Sequence, residues 1–176
     1  GLCNPNRHYM VDIRERLAHI KAMVDEGDYF CINRARQYGK TTTLSALRKY
    51  LSDEYEVVGL SFQKIGQAGF STEEDFVISF TRLIKRKNQI WSAIPEPVSQ
   101  RLLNVIERTD RLAKLDELFE ILSDWCAEAP KPIVLLIDEV DTASNNQVFL
   151  DFLAQLRDGY LDRADDPDTS AFQSVI

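Results

Sequence analysis

The stretch that most constrains this chain is Ile133-Val134-Leu135-Leu136-Ile137, an aliphatic run introduced by Pro130 and Pro132 and closed by Asp138 and Glu139. It is too short for a helix and too apolar for a strand with one wet face, so it predicts a central parallel strand covered on both sides. Parallel strands need long crossover connections, and the rest of the chain supplies them. Tyr29, Phe30, Cys31 and Ile32 read as a buried strand, residues 56–62 as a second, and residues 172–176 as the beginning of another.

Helical spacing fills the intervals. Asp12 is placed to cap a helix carrying Ile13, Leu17, Ile20, Met23 and Val24, with Gly27 to end it. Leu44, Leu47 and Leu51 resume a helical pattern after a break at residues 33–38. Ser71 and Glu74 have capping-box spacing ahead of Phe76, Phe80, Leu83 and Ile84. Further helices are expected over 98–107, 115–126 and 147–161, followed by an acidic loop at 164–170. Strands separated by helices predict an α/β fold with a mainly parallel sheet.

Composition bounds the function. A chain of 176 residues has room for about one domain, and 44% apolar with 28% charged residues is globular composition. A net charge of −7 disfavours a dedicated nucleic-acid-coating protein. Cys3, Cys31 and Cys126 form no CxxC pair and their odd number closes no complete disulfide framework, which predicts a reducing, cytoplasmic setting. His8 and His19 are the only histidines, so a zinc site is disfavoured and any metal should be bound by oxygen. The chain has no apolar run long enough to cross a bilayer, and no membrane partner is expected.

Between the strand at 29–32 and the helix that begins near Thr42 lies Asn33-Arg34-Ala35-Arg36-Gln37-Tyr38-Gly39-Lys40-Thr41-Thr42. Strand, loop and helix are the setting of a phosphate-binding loop, in which backbone N–H groups and the positive helix end cradle oxyanions. Gly39 permits close backbone approach, Lys40 can reach the β and γ phosphates, the Thr41 hydroxyl can ligate Mg²⁺, and Thr42 can bond the α phosphate. Arg36, Gln37 and Tyr38 complete the candidate nucleotide contacts, with bracing of the loop against the sheet an alternative role for Arg36 and Gln37. Arg34 stands where the full GxxxxGK[ST] pattern has its first glycine. Read alone, the triplet 39–41 also fits a basic helix start that binds nothing.

Asp138 and Glu139 change that balance, because open α/β sheets bind ligands at the carboxyl ends of their strands. Asp138 can hold Mg²⁺, and Glu139 can orient or deprotonate a water that attacks the γ phosphate. Helix capping is the bland alternative for this acidic segment.

With both segments in view, the chain resembles a P-loop NTPase of the additional-strand, catalytic-glutamate division, with Gly39-Lys40-Thr41 as Walker A and IVLLIDE as Walker B. More narrowly, INRARQYGKTT, the upstream RHYMVD and the downstream LIDEVD resemble the predicted AAA-like ATPases of prokaryotes, which commonly lack the first Walker glycine. The resemblance implies a three-layer sandwich of sheet order 5-1-4-3-2, with an arm and helix at 1–27 and an incomplete nucleotide-binding core at 28–176. It implies ATP as substrate and Mg²⁺ as cofactor, with Glu139 and Lys40 catalytic, Arg36 to Thr42 on the nucleotide, and Thr41 and Asp138 on the metal. It further implies a chain truncated at its C-terminus, continuing into a sensor residue, a helical lid and often a PD-(D/E)xK nuclease-like domain. Arginine fingers from a neighbouring subunit imply an oligomer, with Arg157 and Arg163 as candidates within the chain. Nucleic acid enters only indirectly.

Two subsidiary features have two readings each. Arg7, His8, Tyr9 and Met10 precede the expected first helix, and Tyr9 or Met10 either contacts the base or packs the arm. Arg82, Lys85, Arg86 and Lys87 either meet nucleic acid or form a solvated helix end, the second being favoured. The function is expected to be ATP hydrolysis as a switch or motor, the alternative being a non-hydrolysing nucleotide-binding module that controls an effector such as a nuclease.

Overall fold

The computed structural model describes residues 5–33, 40–110 and 112–176, with backbone alone at 5–12, 40–42 and 142. Helix α1 (Pro5–Asp25) leads to α2 (Lys40–Leu51) and strand β1 (Glu56–Ser61). Four helices follow: α3 (Glu73–Lys85), α4 (Asn88–Ala93), α5 (Glu96–Glu107) and α6 (Leu115–Glu128). The chain then forms β2 (Ile133–Asp138), α7 (Gln147–Asp165) and β3 (Ser174–Val175).

The aliphatic run forms the middle strand of the described sheet. β2 pairs in parallel with β1 from Glu56↔Ile133 to Ser61↔Asp138, and with β3 through Val134↔Ser174 and Leu135↔Val175. Alternation sends successive side chains to opposite faces. Ile133 and Leu135 enter the core formed with α3, α5, α6 and α7, whereas Val134 and Leu136 enter a second core with Leu17, Ile20 and Val24 of α1 and Leu47 and Leu51 of α2. Helices therefore cover both faces, giving an α/β/α arrangement in which β2 can be wholly apolar.

The larger core is aromatic. Phe62 lies 5.8–6.3 Å, centroid to centroid, from Phe70, Phe76, Phe80, Phe149 and Phe152. Its position one residue after β1 places it at the carboxyl end of the sheet, so the rings of α3 and α7 lock that end of the strand.

Four local expectations change. The chain at 29–32 forms a single parallel bridge, Tyr29↔Val175, with the Phe30 N–H donating to the Val175 carbonyl at 3.0 Å; Cys31 is exposed and its neighbours half-buried. β3 is two residues long, so it offers this segment one rung and not a ladder. Asp12 lies within α1, not at its start, because Pro5 begins the helix, where a missing N–H costs nothing. The same extension places Arg7 to Met10 in helical backbone. The cap of α3 is Thr72, whose hydroxyl accepts from the Asp75 N–H at 3.1 Å. Ser71 cannot serve, since at φ −71° and ψ −40° it still completes the preceding 3₁₀ turn Ala68–Phe70, whereas Thr72 has the extended backbone a cap needs.

Gly27 does end α1. At φ 81° it lets its own N–H reach the Val24 carbonyl at 2.9 Å and the Asp28 N–H reach Met23 at 3.0 Å, a left-handed helix stop. Arg163 then fastens this corner, donating to the carbonyls of Gly27 and Phe172 at 2.7 and 2.6 Å and lying over the Tyr29 and Tyr160 rings. That engagement gives Arg163 a tethering role in this corner of the fold.

Candidate functional site

The carboxyl end of β2 is built by register. Asp138 shares parity with Val134 and Leu136, so it faces the α2 side of the sheet, and its partner across the ladder is Ser61 at the end of β1. Because β1 begins five residues after α2 ends, α2 runs back over the sheet and its first turn lies at the carboxyl ends of the strands. A cavity of about 100 Å³ records the convergence: Cys31, Ile32, Thr43, Leu44, Asp138, Glu139 and Ile176 are among its lining residues.

The backbone turns sharply at Glu139. This residue sits at φ 59° and ψ 46°, the one non-glycine position with positive φ among the described residues. Left-handed backbone costs a residue with a Cβ roughly 1–2 kcal/mol, and such strain concentrates where a side chain must be aimed. Two hydrogen bonds hold the geometry. The Glu139 N–H donates to Asp138 Oδ1 at 2.8 Å, and the Ser61 hydroxyl donates to Glu139 Oε2. Glu139 is exposed, so its carboxylate is steered by Ser61 while remaining open to water.

Lys40, Thr41 and Thr42 form the first turn of α2, which points the positive end of the helix dipole toward the acidic pair. Arg36, Gln37, Tyr38 and Gly39 lie outside the described residues, as does Arg34. No group of three or more His, Cys, Asp or Glu side chains capable of holding a metal occurs among the described residues. Asp138 instead offers a single hard carboxylate, a donor suited to a cation that keeps most of its waters, as Mg²⁺ does. Ser61 is the participant that sequence reasoning misses. Its signal is present, since EVVGLS read with period two puts Ser61 in line with Val57 and Gly59 at the strand's carboxyl end.

A family model described as Predicted AAA-ATPase matches residues 7–161, which spans most of the chain. The chain belongs to this family. Comparisons with curated proteins and with solved structures found no match. Membership in the predicted AAA-ATPases points to nucleotide binding and ATPase activity, and the α/β architecture with its parallel sheet is compatible with a P-loop-like fold. No helix among the described residues of this AAA-ATPase-like chain is long and apolar enough to cross a membrane.

Proposed function

We propose that the chain binds MgATP across residues 36–42 and the end of β2, and hydrolyses it as a cytoplasmic switch or motor. The observation that carries this reading is the cavity in which the first helical turn after the glycine-lysine-threonine triplet meets Asp138 and Glu139. Backbone N–H groups at the start of α2 bind phosphate oxygens, and Lys40 balances charge on the β and γ phosphates. Thr41 and Asp138 hold Mg²⁺, which when bound neutralises charge on the same phosphates. Glu139 orients the attacking water and takes its proton, and the Ser61 hydroxyl fixes which way that carboxylate faces. The reading includes a sheet order of 5-1-4-3-2 with β3 as strand 4, and a core at 28–176 preceded by the arm and helix at 1–27.

Two variants test it. Lys40→Ala is expected to lower ATP affinity or turnover about a hundredfold or more, the effect of removing a preorganised charge contact. Unchanged binding and turnover would sink the loop assignment. Glu139→Gln is expected to retain ATP binding and lose hydrolysis; an already negligible rate that does not change supports the non-hydrolysing regulatory module instead.

A further inference from the structure

A second cavity, of about 250 Å³, lies on the same face of the sheet, with Ser45, Arg48, Gly59, Ser61, Lys87 and Asp138 in its lining. Its cations come from separate parts of the chain: Arg48 from the outer half of α2, Lys87 from the junction of α3 and α4. Gly59 makes their approach possible. Without a side chain in mid-strand it lets the Arg48 guanidinium lie over the sheet, 3.5 Å from where a Cβ would stand, and a larger residue there would fill the floor.

The charge in this cavity is unbalanced. Lys87 is half-buried, and among the described residues neither it nor Arg48 nor the nearby Lys64 forms an ion pair with a carboxylate. Burial, together with the like charges of Arg48 and Lys64, holds the Lys87 ammonium below its ordinary pKa. Asp138 closes the end toward the candidate nucleotide site, and the Ser61 proton is already given to Glu139, so Ser45, Arg48 and Lys87 remain as donors.

We propose that this cavity is an anion site, separate from the loop at 36–42, which takes one phosphate group between the Arg48 guanidinium and the Lys87 ammonium. Arginine offers paired N–H donors and lysine a point charge, the combination that suits a tetrahedral oxyanion. The volume falls just below the roughly 300 Å³ at which pockets for whole small molecules begin, which favours a single group over a nucleotide. The chain's net charge of −7 works against a polyanion such as nucleic acid.

The test is calorimetric titration of inorganic phosphate into the Lys40→Ala protein, so that the loop's own affinity is reduced, with a short single-stranded oligonucleotide in a parallel arm. Phosphate is expected to bind, and Lys87→Gln and Arg48→Gln, each checked for fold by circular dichroism, are expected to weaken it at least about tenfold. On binding, the Lys87 pKa read from its side-chain ¹³Cε shift should rise, a response that can be followed in protein carrying neither substitution. Absence of phosphate binding, or binding that neither substitution weakens, overturns the proposal. Oligonucleotide binding without a response to phosphate overturns it equally. Lys40→Ala protein that still binds ATP normally would count against the loop assignment and leave this site standing.

Discussion

The two faces of the sheet are made of different material. One is covered by α3, α5, α6 and α7 and filled with interlocked phenylalanines; the other is covered by α1 and α2, has a small aliphatic core, and carries Asp138, Ser61 and the first turn of α2. The difference separates rigidity from chemistry. The aromatic layer fixes β1 and β2 from behind, while the α2 layer leaves at its rim polar groups and cations, Arg48 and Lys87, that form no ion pair among the described residues.

The widest contrast should appear in stability. Phe152 is fully buried, with ring centroids 5.1 and 5.2 Å from Phe76 and Phe80, and Phe152→Ala is expected to cost about 3–5 kcal/mol. Leu47, equally buried in the smaller core, is expected to cost about 2–4 kcal/mol on substitution by alanine. Urea denaturation measures both. A Leu47→Ala cost equal to or above that of Phe152→Ala would erase the asymmetry.

Strain sharpens the comparison at a smaller scale. Since Glu139 holds left-handed backbone at φ 59°, Glu139→Gly is expected to keep the protein as stable as wild type or raise stability by up to about 1 kcal/mol, despite losing the Ser61 hydrogen bond. ATPase turnover is expected to vanish in the same variant. A clear loss of stability would show that the bond to Ser61 outweighs the backbone strain, and that the turn serves the fold.

What the sequence discloses follows the same division. Ile133 to Ile137 is legible as a central strand because an all-apolar run of that length has few other uses, and its position fixes Asp138 and Glu139 at the carboxyl end of the sheet. The segment at 29–32 is apolar enough to suggest burial, yet pairing is decided by its neighbour, and β3 supplies only one rung. Ser71 and Thr72 are both competent caps by residue type; only the 3₁₀ turn before them decides between them. The meeting of Arg48 and Lys87 is illegible, since they are separated by β1 and α3 and join only when α2 packs across Gly59. Periodicity reports what a segment buries and says little about which distant segment covers it.

The smallest predicted effect separates the faces by pH. Burial on the aromatic side pushes the Cys126 thiol from its ordinary 9.0 up to about 12, with Arg163 pulling weakly the other way. On the α1 side, burial and the bond to Asp25 push Tyr55 from 10.0 to about 12. Each group's folded pKa is raised, so each contribution is fully present below the unfolded value and is lost as pH rises toward the folded one. Between pH 9 and 10 the thiol contributes most, because tyrosine in the unfolded chain, at 10.0, is only part ionised by the end of that interval. Stability measured by urea denaturation should therefore fall by about 1 kcal/mol more across that interval in wild type than in Cys126→Ala, which keeps only the smaller decline due to the tyrosines. Above pH 10 both proteins should decline together as Tyr55 and the half-buried Tyr29, also raised by burial, titrate further. An identical fall in both proteins between pH 9 and 10 would mean that the thiol is open to water, and that the layer behind the sheet is looser than its packing of rings requires.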